Sequence, residues 1–158
     1  MVRPMVRSDR EAVMNILRQT AMFTPEEVQV AAEVMDAALD RPEQEDYSLA
    51  VWEEEEGGRV TGYAAYGPTP LTQGTYDLYW IAVSPDRQGS GLGRRLMDWV
   101  EDRLRESGGR LLLVETSSQP RYEPTRRFYS GLGYREAARI ADFYRPGDDR
   151  VTYAKYFK

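Results

Sequence analysis

The sequence predicts a mixed α/β domain, with one layer of β-sheet and helices packed on it. Short apolar runs typical of strands alternate with longer stretches that have the apolar spacing of amphipathic helices. Clusters of glycine and proline separate these segments. Taken in order, the segments predict the arrangement βααβββαβαββ. A chain of 158 residues suits one domain, and we expect a single domain over residues 1–158.

The first part of the chain predicts a strand followed by two helices. Val2–Val6 has the apolar character of a short strand. A helix begins near Arg10, where Ser8 or Asp9 could cap it. Thr24 then precedes a proline and two glutamates, a pattern that starts a second helix running to about residue 40.

A hairpin is predicted next, from two strand-like runs around a charged turn with two glycines. The runs are Tyr47–Trp52 and Val60–Tyr66, and the turn between them carries four consecutive glutamates at Glu53–Glu56. These glutamates could bind a cation or a basic partner. Runs of like charge are usually solvated, so we expect a solvated turn.

The second half of the chain alternates strands and helices before closing with two strands. Pro68–Gln73 and Asp142–Asp149 are interpreted as loops. The predicted elements are a strand at Thr75–Val83, a helix from Leu92 to Leu104 that ends near Ser107–Gly109, a strand at Leu111–Thr116, a helix at Pro124–Leu132, and strands at Tyr134–Ile140 and Val151–Phe157.

Cysteine and histidine are both absent from the chain. Their absence excludes disulfides, a thiolate nucleophile and zinc–thiolate sites. It also excludes a Ser-His-Asp triad and imidazole metal ligands, so no metal is expected. Acid–base chemistry must therefore come from Asp, Glu, Tyr, Lys, water or the substrate itself.

The net charge and the hydropathy of the chain limit the kinds of partner that it can bind. The net charge is −5, from 21 basic and 26 acidic residues, which argues against a large nucleic-acid interface and is compatible with a cationic substrate. No apolar run approaches the length of a membrane span, and the N-terminus lacks the apolar core of a signal peptide. We therefore expect a cytoplasmic protein with no membrane partner.

A glycine-rich segment, Arg87–Arg95, lies where the strand Thr75–Val83 gives way to a helix. Glycines there allow several backbone N–H groups to face one point, next to the positive end of the helix dipole, so the segment predicts a phosphate-binding site. No Lys-Ser or Lys-Thr follows the glycines, which excludes a P-loop. Arg94 occupies the third glycine position of the dinucleotide fingerprint, which argues against that motif. A purely structural turn is the alternative.

The segment Gln88–Gly93 resembles the Q/R-x-x-G-x-G/A motif of the GCN5-related N-acetyltransferases, the GNAT superfamily. Ile81–Pro85 resembles the family's preceding strand and turn, and Arg126–Tyr134 resembles its late helix signature. The resemblance is firm from about residue 47 to 158. It implies the GNAT fold: a central mixed, mostly antiparallel twisted sheet of about six or seven strands, with splayed central parallel strands and about four helices.

The resemblance implies acetyl-CoA as co-substrate. The main chain of Ile81 and Val83 would contact pantetheine. Arg94 and Arg95 would lie near the pyrophosphate, or form a solvated pair. Tyr122 replaces the family's usual Asn and would contact the cofactor or the substrate. The pyrophosphate would bind the N–H groups of Gln88, Gly89, Ser90, Gly91, Leu92, Gly93 and Arg94.

The resemblance also implies catalytic roles. Tyr129 matches the family's general acid, which protonates the leaving thiolate; the alternative is a core tyrosine. Two carboxylates compete for the role of base, Glu115 on the strand after the motif helix and Asp77 on the strand before the glycines. We favour Glu115 slightly. Either carboxylate could instead bind the substrate ammonium, and Glu115 could simply pair with an arginine.

The resulting hypothesis is an N-acetyltransferase that moves the acetyl group directly to a primary amine of a small molecule or of a protein N-terminus or lysine. No acyl-enzyme is required. A homodimer is an open option. One alternative is a CoA-binding module without catalysis; another is a GNAT-type toxin acting on aminoacyl-tRNA. The acceptor surface is expected from the N-terminal helices, Pro68–Gln73 and Asp142–Asp149.

Overall fold

The computed structural model describes residues 1–158 and contains seven strands and four α-helices in the predicted order. The strands are β1 (Val2–Pro4), β2 (Ser48–Glu53), β3 (Val60–Pro68), β4 (Thr75–Val83), β5 (Leu111–Ser117), β6 (Arg135–Arg145) and β7 (Asp148–Tyr156). The helices are α1 (Arg10–Gln19), α2 (Pro25–Asp40), α3 (Leu92–Glu106) and α4 (Glu123–Gly131).

One sheet contains all seven strands, in the order β1-β2-β3-β4-β5-β7-β6. The neighbours β4 and β5 run parallel, and this ladder covers only Thr75–Leu78 against Leu111–Val114. The pairs β1–β2, β2–β3, β5–β7 and β6–β7 are antiparallel. The predicted mixed, mostly antiparallel sheet is confirmed.

Backbone contacts divide the chain into two compact units. The first consists of Met1–Pro68 with Tyr79–Arg103, and the second of Thr69–Leu78 with Leu104–Lys158. In the first unit, α1 and α2 pack on the sheet through a buried apolar cluster. Its fully buried members include Val13, Leu17, Ala31, Met35, Val51 and Tyr63. The start of α2 is the predicted one, since Thr24 and Glu27 form a reciprocal capping box.

A buried ionic cluster joins β1 to the end of β2. Arg3 donates two hydrogen bonds to Asp9, at 2.8 and 2.9 Å, and two to Glu53, at 3.2 and 3.0 Å. The exposed fractions of Asp9 and Glu53 are only 6% and 8%. Burial raises the pKa of Asp9, but the hydrogen bonds from Arg3 and from the Val6 N–H outweigh it, and the net pKa lies below its usual value.

The run of four glutamates is therefore only partly a solvated turn. Glu53 is buried against Arg3, and Glu54 accepts a hydrogen bond of 2.6 Å from Thr61. Glu55 and Glu56 are exposed, as expected. The expectation was wrong for the first two glutamates because β2 continues through Glu53, which turns this side chain inward.

In the second unit, β7 lies between β5 and β6. All eleven residues of β6 are exposed. The interpretation of Asp142–Asp149 as a loop was wrong: β6 continues to Arg145, and β7 begins at Asp148. The β6–β7 pairing is irregular between Ile140 and Arg145, where Asp142 adopts a φ of 54°. None of the helices combines the length and apolar character needed to cross a bilayer.

We expect Asp9→Asn to lower the free energy of unfolding at pH 7 by roughly 1.5–3 kcal/mol, because hydrogen bonds to a charged group are lost. The folded-state pKa of Asp9 is lowered, so its stabilisation is complete above the unfolded pKa of about 3.9 and disappears as the pH falls through the folded value. Urea titrations should therefore show a deficit at pH 7 that narrows as the pH is lowered from about 4 towards 2.

The control is Glu56→Gln, at an exposed position of the same hairpin. Its free energy of unfolding should equal that of the parent at both pH values. A deficit for Asp9→Asn that persists unchanged at pH 2 would contradict the ionic explanation.

Candidate functional site

The glycine-rich segment forms the turn between β4 and α3. Gly89 and Gly91 have φ values of 78° and 82°, in the left-handed region that favours glycine. A Cβ atom built on either residue meets nothing within 4 Å. Open space therefore lies in front of both residues, and their glycine identity comes from backbone conformation rather than from crowding within the protein.

The first turn of α3 continues this segment. The first backbone bond of the helix runs from the Arg95 N–H to the Gly91 carbonyl at 3.2 Å. N–H groups earlier in the first turn have no intrahelical acceptor, and they carry the positive end of the helix dipole. No acidic residue lies in this turn. The arrangement can bind an anion through backbone N–H groups.

The position of α3 depends on Gly62 in β3. A Cβ atom at Gly62 would lie 2.7 Å from Leu92 Cδ2, 2.9 Å from Leu96 Cδ1 and 3.1 Å from Trp52 Cβ. Leu92 and Leu96 are buried, with exposed fractions of 3% and 0%. Glycine at this position therefore allows the first turns of α3 to pack directly on the backbone of β3.

Ion pairs from the β2–β3 hairpin hold the short 3-10 turn Pro85–Arg87 that precedes the glycines. Arg59 Nη2 lies 2.6 Å from both carboxylate oxygens of Asp86, and Ser84 Oγ donates to the same carboxylate at 2.6 Å. The hydrogen bonds from Arg59 and from Ser84 lower the pKa of Asp86 to about 2. Arg87 Nε forms an ion pair with Glu54 at 2.8 Å.

Hydrogen bonds then fix the loop itself. The Gln88 amide donates to the Val83 carbonyl at 3.2 Å, and the Ser90 hydroxyl donates to the Arg87 carbonyl at 2.5 Å. Both side chains therefore form hydrogen bonds with residues that precede them, in β4 and in the 3-10 turn. Their backbone N–H groups are what the family resemblance assigns to the phosphates.

The two arginines in the first turn of α3 differ in their contacts. The Arg95 guanidinium lies over the Trp52 ring, 5.4 Å from the ring centre. Arg94 is exposed. Arginine at a helix N-terminus is disfavoured by the dipole, and stacking on Trp52 offsets this for Arg95. Arg94 has no such contact, and the side chains of both arginines are exposed.

On β4, Ile81 and Val83 are half-buried and lie beyond Leu78, where the ladder with β5 ends. Their main chains are therefore outside the parallel pairing that holds the beginning of the strand. This is the backbone that the resemblance assigns to pantetheine.

Both candidate bases lie on one face of the second unit's sheet. Asp77 in β4 pairs in register with Leu113 in β5, so these two side chains share a face of the sheet. Glu115 lies two positions after Leu113 in β5, and side chains two positions apart in a strand point to the same face. Asp77 and Glu115 therefore lie on the same face. Asp77 is half-buried and accepts a hydrogen bond of 2.7 Å from Thr69. The Glu115 side chain is half-exposed, with Arg150 Nη1 at 3.9 Å.

Tyr129, the candidate acid, is buried in α4 within an aromatic group. Its ring centre lies 5.3 Å from Phe128, 5.9 Å from Tyr134 and 6.4 Å from Tyr153. Burial raises the pKa of Tyr129 above its usual value, so the phenol stays protonated at neutral pH. A protonated phenol can donate a proton.

Tyr122 ends the 3-10 turn before α4 and is half-buried. Arg121 Nη2 donates to its hydroxyl at 2.9 Å, and the same guanidinium lies 4.8 Å from the ring centre. Arg121 therefore fixes both the ring and the hydroxyl of Tyr122.

The model of the acetyltransferase (GNAT) family matches residues 11–134 of the chain. The chain belongs to the GNAT family. A GNAT-family protein from Desulfovibrio desulfuricans has a crystal structure with 45% sequence identity and a TM-score of 0.94, over 99% of this chain and 98% of the relative. The resemblance identified in the sequence and the predicted fold are confirmed.

Two further proteins illustrate the range of similarity. The L-amino acid N-acyltransferase MnaT of Escherichia coli is 37% identical over 67 residues, 41% of this chain and 39% of its own length. The structure of yncA from Salmonella typhimurium with acetyl-CoA has 22% identity and a TM-score of 0.76, over 100% of this chain and 94% of that one, which shows a shared fold. The chain spans between 39% and 57% of the curated relatives it matches.

Sequence reasoning missed the ionic contacts around the GNAT glycine segment. It raised an arginine partner for Glu115 but did not identify Arg150. The turn at Gly57–Gly58 could have suggested that Arg59 and Glu54 lie together. No local pattern pointed to Arg150, because its proximity to Glu115 depends on the pairing of β5 with β7.

We expect Gly62→Ala to destabilise the protein by about 1–3 kcal/mol, because the added methyl group must displace two buried leucines or the helix that carries them. Urea denaturation measures the change. Gly131→Ala in α4 is the control, since a Cβ there meets nothing within 4 Å. It should be neutral or slightly stabilising. Equal effects of the two substitutions would contradict the close packing of α3 on β3.

Proposed function

We propose that this chain is an acetyl-CoA-dependent N-acetyltransferase that moves the acetyl group directly to a primary amine of a small molecule or a protein. The observation that carries the proposal is the turn before α3, where two left-handed glycines face open space next to unpaired helical N–H groups. Membership of the GNAT family supports the same assignment.

In this proposal, the pyrophosphate of acetyl-CoA binds the backbone N–H groups of Gln88, Gly89, Ser90, Gly91, Leu92, Gly93 and Arg94. The Arg94 side chain adds a positive charge. The pantetheine amides pair with the main chain of Ile81 and Val83, which lie outside the β4–β5 ladder. Tyr122 contacts the cofactor in place of the family's asparagine.

The chemical step needs no nucleophile from the protein. The lone pair of the neutral amine attacks the thioester carbonyl carbon, forming the C–N bond and a tetrahedral oxyanion. The C–S bond then breaks, and the departing thiolate takes the proton of the Tyr129 hydroxyl. The nitrogen loses its proton to Glu115, directly or through water. Asp77 is the alternative acceptor, and its bond from Thr69 occupies one carboxylate oxygen.

The absence of cysteine and histidine supports direct transfer, since no acyl-enzyme is required. A cytoplasmic location, a homodimer and a single domain over residues 1–158 stay predictions. The test of the function is release of the CoA thiol from acetyl-CoA in the presence of a panel of primary amines. Cofactor binding with no turnover on any amine would favour a binding module instead, and salt-dependent tRNA binding would favour the toxin.

We expect Tyr129→Phe to lower kcat by about 100-fold or more, because the thiolate loses its proton donor, with little change in the Kd for acetyl-CoA. Because the pKa of Tyr129 is raised, its deprotonation should not limit the rate below about pH 10. Tyr153→Phe is the matched control, since it removes a hydroxyl from the same aromatic group. Unchanged turnover of Tyr129→Phe would remove this residue from the acid role.

We expect Gly91→Ala to weaken CoA binding by about tenfold or more, because the methyl group enters the space where the pyrophosphate must approach. Gly108→Ala is a close control. Gly108 has a φ of 77° and open space around it, so both substitutions carry the same backbone strain of about 1–2 kcal/mol. Calorimetric titration should show weaker binding for the Gly91 variant only. Equal Kd values in both variants would contradict the assignment of the loop.

A further inference from the structure

Arg150, on β7, presents hydrogen-bond donors that the protein leaves without acceptors. Its Nε atom is buried and has no partner. Its Nη1 atom lies 3.9 Å from Glu115 Oε1, which is too long for a hydrogen bond. The side chain is only 27% exposed. Because Nη1 forms no hydrogen bond with Glu115, the exposed part of the guanidinium is available to an acceptor group of a ligand.

The guanidinium is held in place by the irregular part of β6. Phe143 stacks against it, 4.6 Å from its central carbon to the ring centre. The bulge that carries Phe143 is fixed by Asp149, which accepts from the Asp142 N–H at 3.0 Å and from Arg139 at 3.0 Å. Bulges next to functional sites commonly re-aim a side chain. Here the bulge places an aromatic ring against the Arg150 guanidinium.

Arg150 also shares a face with both candidate bases. Ser117 pairs in register with Arg150, and Glu115 with Thr152, so Arg150 is the diagonal neighbour of Glu115 on one face of the sheet. Asp77 lies on this face as well. A carboxylate and a guanidinium lie side by side there, at a distance longer than that of a charge-assisted hydrogen bond.

This pair of opposite charges complements a ligand that carries an ammonium or amine beside a carboxylate. We propose that the acceptor is an α-amino acid, whose carboxylate binds Arg150 and whose amine lies at Glu115. The planar guanidinium can bind a carboxylate with two parallel hydrogen bonds, a geometry that lysine cannot reproduce. The inference rests on the proposed acetyl transfer and adds the class of its acceptor.

The experiment compares L-amino acids with their own carboxamides as acceptors, at fixed acetyl-CoA, in the parent chain and in Arg150→Met. The parent should favour the acid over the amide by about 10- to 100-fold in kcat/KM, as expected for a charge-assisted pair. Arg150→Met should lose this preference through a higher KM for the acid, with the KM for acetyl-CoA unchanged. Arg150→Lys should recover only part of it.

Arg135→Met is the matched control, because Arg135 is an exposed arginine of the same hairpin. It should keep the preference of the parent. Circular dichroism of each variant checks folding, and calorimetric titration of the amino acid without cofactor gives a readout independent of turnover. Binding of the acid but not the amide, lost in Arg150→Met, supports the proposal.

Several results would overturn it. Turnover with amines that lack a carboxylate, at rates equal to or above those with amino acids, would leave the acetyltransferase proposal standing and remove the amino-acid acceptor. A rise in the KM for acetyl-CoA alone in Arg150→Met would assign the guanidinium to the cofactor. Equal preference in parent and variant, with lower stability of the variant, would make Arg150 a structural residue. No turnover on any amine would instead count against the proposed function itself.

Discussion

The direct packing of α3 on the backbone of β3 at Gly62 is the contact on which the rest of this site depends. It fixes the start of the helix, and therefore the direction in which the free N–H groups of its first turn point. A larger residue in β3 would tilt or lift this end of the helix. The anion-binding geometry of the loop therefore depends on the absence of a side chain at Gly62 in β3.

Ionic contacts also hold the turn that precedes the glycines. Arg59 and Glu54, on the two arms of the β2–β3 hairpin, hold Asp86 and Arg87 immediately before the glycines. The glycines themselves have no side chains that could fix the loop. The loop is therefore held by the hydrogen bonds of Gln88 and Ser90 together with charges on a neighbouring hairpin. These exposed pairs contribute little to global stability, and their effect is to orient the loop.

Apolar patterning and glycine or proline punctuation predicted every helix and strand in order, because these elements are defined by local sequence. The boundary between β6 and β7 was wrong because Asp142, Gly147 and Asp149 are typical loop residues. The Asp142 and Asp149 side chains instead hold the hairpin together, for example by accepting hydrogen bonds from the Gly147 N–H at 2.7 Å and from the Asp142 N–H at 3.0 Å. Local sequence motifs identified the glycine segment and the two candidate bases, Asp77 and Glu115. No local motif identified Arg150, since only the pairing register of β5 and β7 brings it close to Glu115.

The irregular segment of β6 has a second consequence, for the behaviour of the protein at high concentration. A long, fully exposed edge strand offers a row of free N–H and C=O groups onto which another chain could add. The break in pairing between Ile140 and Arg145, together with the left-handed residue inside it, interrupts that row. Arginines at both ends of the strand add charge to the edge. A straightened β6 would remove the ring from Arg150 and also create a template for aggregation.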